Sequence, residues 1–291
     1  MPSRRIVTLT PMFNENDNIQ EMLESLVNQS LKPTKILIGD NQSDDGSAEL
    51  ARDILEGSGI PFEIITVPRR KEFGKWNINR VYWWLTKTIR GDASSIDYVG
   101  TFESDLLLER RYIEKLVNHF ESNPRLGIAG GPIAPDGKFP DSFPLEGGQT
   151  PWGANRLYSA RCWFDLFDSV DLRNLPAWDS DHSVLAAFKG YQVISVTDAI
   201  TRATRAASVE RGATRGCTDC MHDLPIWWAL FRFIRKTDPY YLAGFVRTTF
   251  EKRNFKKREI GHANLESVRQ IYRYASAEAV ISKTLRILGA S

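Results

Sequence analysis

The chain has 291 residues, enough to bury a large core without disulfides or a structural metal, and its 42% hydrophobic and 25% charged content is that of a folded globular protein, which excludes wholesale disorder and a fibrous repeat. The formal net charge of +2 hides a division: residues 202–291 carry 17 Lys+Arg against 8 Asp+Glu, leaving 21 against 28 in residues 1–201, so a basic C-terminal third follows an acidic body and points to an anionic partner. Three cysteines make no disulfide framework, and the apolar stretch at 224–231 falls well short of the roughly 20 residues of a spanning helix.

At the start, Arg4 and Arg5 precede a short apolar run that Pro11 and Asn14 interrupt before a secretory segment could form, so a cytoplasmic location is expected. Residues 5–10 (RIVTLT) predict a first strand. A helix follows with Ile19, Met22, Leu23, Leu26 and Val27 on one face and Asp17 or Asn16 as its cap. Strands are predicted at 35–39, 62–67, 98–102 and 127–133, with helices from near Ser47, near Trp76 and over 109–120 between them. A Gly/Pro-rich stretch from 130 to 155 reads as a long loop of the kind that covers an active site. Regular pattern resumes at Leu157, a helix is expected over 181–188 and a strand over 191–196. Beyond 205 the strand pattern gives way to helical, basic and aromatic sequence. The alternation predicts an α/β domain over 1–205, a mixed, mainly parallel sheet flanked by helices, and a helical C-terminal extension over 206–291.

In such sheets ligands sit beyond the carboxyl ends of the strands. The first strand runs into Pro11, Met12, Phe13, Asn14 and Glu15, the second into Asp40, and the fourth into Glu103-Ser104-Asp105. Two carboxylates at i and i+2 share one side of an extended tip, and hard oxygen ligands of that kind suit Mg²⁺ or Mn²⁺. Ser43, Asp44, Gly46 and Ser47 are accounted for by a tight turn and a helix cap. No G-x-G-x-x-G and no G-x-x-x-x-G-K-[ST] follows any strand, against a dinucleotide-dependent dehydrogenase and a P-loop NTPase. Lys75 and the run at 69–71 are candidates for phosphate contacts. Cys217-x-x-Cys220 with His222 lacks the second half of a zinc site.

The stretch VTLTPMFNENDNIQEMLESLVNQSLKPTKILIGDNQSDDGS, with Pro11, Asn14, Glu15, Ser25, Leu26, Gln29 and Asp40, resembles the first βαβ unit of family 2 glycosyltransferases of the GT-A fold. KEFGKWNIN at 71–79 is similar to a later segment of that family, and FESD occupies the slot of its Asp-x-Asp metal motif. The resemblance covers about residues 5–200. It implies a nucleotide-sugar donor with Phe13 against the base, Asp40 hydrogen-bonded to it, Glu15 near the ribose, and Asp105 on a divalent metal with Glu103. By register, Asp179 takes the place of the catalytic base and Trp178 that of the acidic residue before it; Asp181 is a neighbour that tunes the base or binds acceptor. Three departures stand out: Glu103 for the leading Asp, Trp178 for the Glu, and Ala203 where many members carry a His after the last strand.

The resulting expectation is a metal-dependent inverting glycosyltransferase acting on a hydroxyl acceptor, with a glycan or lipid-linked precursor considered, and with Mn²⁺ or Mg²⁺ as cofactor. Uracil is the first choice of base because Asp40 can accept its N3–H, although guanine offers a donor edge too. The alternatives are a sugar-nucleotide nucleotidyltransferase, against which stands the missing Gly-rich, Arg-containing loop after the first strand, and a non-catalytic binding protein with a decayed metal site. Aromatic and basic residues mixed over 224–259 suit an anionic membrane surface, or else a helical cap packed on the body. No nucleic-acid module is recognisable there, so no nucleic-acid partner is expected.

Overall fold

Seven consecutive buried residues, Ile6–Met12 (β1), run through the middle of a seven-stranded sheet in the computed structural model, which describes residues 4–68, 78–134, 151, 153–169, 178–205 and 230. A strand covered on both faces needs an unbroken apolar or β-branched run, and IVTLTPM supplies one. Beside β1 lie β2 (Lys35–Asp40) and then β3 (Phe62–Thr66) on one side, and β4 (Tyr98–Phe102) on the other, all parallel. The sheet continues through β8 (Asn155–Ser159), β6 (Leu126–Gly130) and β9 (Gln192–Ser195), with β8 antiparallel to both neighbours. The mixed, mainly parallel α/β architecture expected from the sequence is therefore present.

Helices cover the sheet. In α1 (Ile19–Val27) the residues Ile19, Met22, Leu23 and Leu26 are buried at the spacing of one helical face. The expected caps Asp17 and Asn16 are not used: Asn18 occupies the cap position, and the Glu15 carbonyl accepts the Asn18 and Ile19 amides at 2.9 and 2.8 Å. The other helices are α2 (Ser47–Ser58), α3 (Ile78–Ile89), α4 (Tyr112–Ser122), α5 (Ala160–Ser169) and α6 (Trp178–Phe188). Helix α3 presses onto β2 at Gly39, where a Cβ would stand 2.2 Å from Val81 Cγ1, so any larger residue would push the helix off the sheet.

The single strand expected at 127–133 is instead two. The first ends at Gly130, and Gly131 packs so closely on Ala199 that a Cβ there would lie 1.4 Å from the Ala199 carbonyl oxygen. The chain leaves the large sheet at this point and enters a three-stranded one, ordered β5 (Leu106–Leu108), β10 (Thr201–Ala203) and β7 (Ile133–Ala134). A buried polar junction holds the two sheets together. Asn155 Nδ2 donates to the Gly131 carbonyl at 3.0 Å and to Thr201 Oγ1 at 2.7 Å, and the Tyr112 hydroxyl donates to the Asn155 carbonyl at 2.6 Å while accepting the Gly131 amide at 2.9 Å. Among the described residues no helix is long and apolar enough to cross a membrane.

Candidate active site

The carboxyl ends of β1 and β2 are level, Met12 pairing with Asp40, so the two loops that follow them lie side by side. They are stitched together by polar contacts. Asn14, in left-handed backbone at φ 52°, donates its amide to Ser43 Oγ at 3.0 Å and its side-chain amide to Asp44 Oδ1 at 2.8 Å, and accepts the Asp44 amide at 3.1 Å. Asp45 accepts the Ser47 amide and the Asn16 amide, both at 3.0 Å, and the Ser47 hydroxyl; these hydrogen bonds outweigh its desolvation and hold its carboxyl below the ordinary range. Asp40 is buried, and its Oδ1 accepts both the amide and the hydroxyl of Ser43, at 2.9 and 2.7 Å.

A pocket of about 290 Å³ opens beyond β1 and β4, lined by Pro11, Phe13, Glu15, Ile78, Glu103, Ser104, Asp105 and Arg205. Six of these eight are residues singled out in the sequence. Asn14 and Asp40 are not among the lining residues and bond within the two loops, and Lys75 and the run at 69–71 lie outside the described residues, as do the greater part of the 130–155 loop, Cys217, Cys220, His222 and the C-terminal extension apart from Leu230.

Glu103 leaves β4 with its amide bonded to the Ala154 carbonyl at 2.9 Å. The residue as a whole is only partly buried, yet desolvation pushes its carboxyl up to about 8, with smaller contributions from Asp105, Asp179 and Glu15 in that order, and Arg205 opposes them. Glu103 thus lies in the field of three other acids, and Arg205 is the cation that acts against them on it. Glu103 and Asp105 offer the hard oxygen donors that suit Mg²⁺ or Mn²⁺, and the negative charge crowded there is of the kind a divalent cation relieves. No group of three His, Cys, Asp or Glu side chains is arranged around a common metal position among the described residues, so two protein carboxylates would be completed by water and phosphate oxygens.

Asp179 and Asp181 lie in the first turn of α6, which begins at Trp178, so Asp179 is inside the helix and not its cap. Asp181 is fully buried and Asp179 only partly. The position of Asp179 is set by two residues that the sequence reading passed over. Arg156, 1% exposed, donates to the Asp179 carbonyl and the Pro151 carbonyl, both at 2.5 Å, with its guanidinium 5.9 Å from the Trp178 ring centre. Gly153 has room for no side chain, since a Cβ would lie 2.4 Å from Asp179 Cβ.

Arg205 was likewise not anticipated. The antiparallel register of β10 on β5, Ala203 opposite Leu106, brings the residues after β10 back to the acidic turn. Thr204 donates its amide to the Asp105 carbonyl at 2.8 Å and its hydroxyl to Asn18 Oδ1 at 2.7 Å. Arg205 then forms ion pairs with Glu15 through Nη2 and with Asp105 Oδ2 through Nε, the latter at 3.2 Å. Partial burial alone would lower its guanidinium pKa, but Glu15 and then Asp105 and Glu103 raise it overall. Arg205 thus stands two residues beyond Ala203, the end of β10.

Comparison with known proteins adds the following. The model of the family described as Glycosyl transferase family 2 matches residues 8–171. A curated relative, poly-beta-1,6-N-acetyl-D-glucosamine synthase of Staphylococcus aureus, is 27% identical over 126 residues, 43% of this chain but 28% of that protein, so the match spans just over a quarter of the relative's length. Among solved structures, the mannosyltransferase PcManGT from Pyrobaculum calidifontis, in complex with GDP-Man and Mn²⁺, superimposes with a TM-score of 0.54 at 14% identity, covering 95% of this chain and 80% of that one. TarS residues 1–349 from S. aureus, in complex with UDP, gives a TM-score of 0.53 at 12% identity over 88% and 76% of the two chains. At these identities the likeness is one of fold.

Proposed function

The chain belongs to glycosyl transferase family 2 and carries the GT-A fold, and on that premise we propose that it moves a sugar from a nucleoside-diphosphate donor to a hydroxyl acceptor, with inversion at the anomeric carbon. The observation that carries this reading is the pocket beyond β1 and β4, in which an aromatic residue and paired carboxylates share one wall system with Asp179 close by. Phe13 and Pro11 offer an apolar face for the base, the buried Asp40 behind them an acceptor for its N–H, and Glu15 a partner for the ribose. Asp105 and Glu103 are assigned to Mn²⁺ or Mg²⁺, with Ser104 against the donor and Lys75 on the phosphates.

When bound, the divalent cation supplies electrostatic stabilisation of the leaving diphosphate. The remaining work belongs to the chain's own residues. Asp179 takes the proton of the acceptor hydroxyl as it attacks, a general-base contribution of about 10² to 10⁴ in rate. Asp181, buried one half-turn on, shapes the field at Asp179 and does not meet solvent. Arg156 and Gly153 fix where the base stands.

Uridine diphosphate is the proposed leaving group, in line with the UDP in the TarS complex, and a glycan or lipid-linked hydroxyl the proposed acceptor, in line with the polysaccharide named for the curated relative. The basic residues 206–291 are assigned as an extension that holds the enzyme on the cytoplasmic face of an anionic membrane. Titration calorimetry of UDP, GDP and dTDP with Mn²⁺ and again with EDTA tests the donor site: one nucleotide should bind in a metal-dependent way that Asp105→Ala abolishes. No binding of any nucleotide would refute the donor assignment, and absence of flotation with anionic vesicles would refute the membrane one.

A further inference from the structure

A diphosphate entering this pocket meets the carboxylates of Glu15 and Asp105, of the same sign as itself, and the carboxyl of Glu103 on its walls. Among the described lining residues Arg205 is the sole basic side chain. Its backbone is anchored by Thr204 to Asp105 and Asn18, while its side chain is 52% exposed, so the guanidinium can swing on a fixed base. The two groups it grips, Glu15 and Asp105, are respectively 13% and 27% exposed and bracket the pocket. A guanidinium presents a planar fork that fits phosphate oxygens as well as it fits carboxylates.

We propose that Arg205 is a phosphate-binding residue of the donor site, which exchanges the carboxylates of Glu15 and Asp105 for diphosphate oxygens when a donor enters and which competes with a divalent cation for Asp105. The proposal rests on the donor-site reading above. It makes metal and diphosphate mutually supportive through one side chain: a cation that takes Asp105 frees Arg205 for phosphate, and a phosphate that takes Arg205 frees Asp105 for the cation. Coupling of this kind is reciprocal by thermodynamic necessity. It also accounts for an enzyme site with two metal carboxylates and no histidine at Ala203, since part of the positive charge facing the diphosphate is then built into the chain.

The test uses the full chain and two probes that need no knowledge of the base, inorganic pyrophosphate without metal and Mn²⁺ without nucleotide, each followed by calorimetry, with Mn²⁺ also read by the loss of its free-ion paramagnetic resonance signal. Arg205→Ala should weaken metal-free pyrophosphate binding by about 10- to 100-fold, the worth of a charged hydrogen-bonding partner. The same variant should bind Mn²⁺ alone about two- to fivefold more tightly, because Asp105 is released from a half-exposed ion pair. Arg205→Lys, which keeps the charge but not the planar fork, should fall between wild type and Arg205→Ala in pyrophosphate affinity, which separates loss of charge from loss of fold. Equal affinities of wild type and Arg205→Ala for both probes, or no metal-free pyrophosphate binding by the wild type, would overturn the proposal while UDP or GDP binding with Mn²⁺ left the donor site standing. Failure of the wild type to bind either nucleotide with Mn²⁺ would instead bring down the donor-site reading and this proposal with it.

Discussion

Replacing Gly153 with alanine tests whether Asp179 acts from the position described. The added methyl would sit 2.4 Å from Asp179 Cβ and 3.0 Å from both Cγ and Oδ2, against an ordinary contact floor of 3.4 Å, so the two segments must part by about 1 Å. Rotation of the aspartate cannot relieve this, because its Cβ is fixed by the backbone. The movement is resisted by Arg156, which ties the Asp179 carbonyl to the Pro151 carbonyl at 2.5 Å each. Overpacking of this kind costs about 1–3 kcal/mol. At about 2–4 °C per kcal/mol for a domain of this size, Tm should fall by roughly 2–12 °C. Turnover should fall more than stability suggests, by about 10²-fold, since a displacement of about 1 Å at the reacting centre is enough for that. The assay is release of nucleoside diphosphate from the sugar donor, alongside calorimetric nucleotide binding. Neither Gly153 nor Asp179 lines the donor pocket, so nucleotide affinity should stay within about twofold of wild type. Asp179→Asn should abolish most of the same activity, and the double variant should lose little more. Wild-type turnover in Gly153→Ala, or a loss confined to nucleotide affinity, would refute the assignment of Asp179 as the base.

Three further outcomes follow from the geometry. Gly131→Ala places a methyl 1.4 Å from a backbone oxygen, so it should cost about 3 kcal/mol or more and lower Tm by roughly ten degrees; a melting curve within 2 °C or so of wild type would contradict the tight crossing of Gly131 past Ala199. In metal-free protein Glu103 keeps its proton up to about 8 while the unfolded chain releases it near 4.5, so stability should fall as pH rises through that window, and Glu103→Gln should flatten the slope in melts with EDTA. His182 is buried among Tyr158, Trp163 and Trp178 and its pKa is depressed by desolvation to about 3, so its contribution is intact above about 6.5 and is lost as pH falls toward 3. His182→Phe should shift the acid unfolding midpoint downward, as followed by circular dichroism.

Much of the domain was legible because its strands are buried on both faces and its helices on one. Strand β1 and the stripe of α1 stand where the hydrophobic pattern put them, and the acidic residues after β1 and β4 line the pocket. What escaped notice has a common cause. Strand β8 carries Asn155 and Arg156, polar residues whose burial is met by bonds to the carbonyls of Gly131 and of Asp179 in α6, and no periodicity reveals such partners. Strands β5 and β10 have three residues each, below the length at which alternation can be read. Arg205 is visible as a functional residue only once that pairing is known. Conversely, Ser25 and Gln29, which helped carry the family resemblance, serve the scaffold: Ser25 Oγ accepts the Leu108 amide at 3.1 Å, and Gln29 bonds to Glu109 and Ile113 at 2.8 and 3.1 Å.

The pairing of β10 on β5 has a consequence for the order in which the protein comes together and comes apart. Its three residue pairs join positions 93 to 97 apart in the chain, and the Arg205–Glu15 contact that follows them spans 190. The loop-closure entropy of so distant a contact is offset only after the large sheet has formed, so this join is expected late in folding. By the same reasoning it is among the first to open, as a small cooperative unit lying well below the global unfolding free energy. Amide exchange at Ala203 and Thr204 should therefore outpace exchange in β1 and β4, and mild denaturant should release Arg205 from the acidic turn while the sheet persists. The chain can let go of Arg205 at this pocket without parting with its fold.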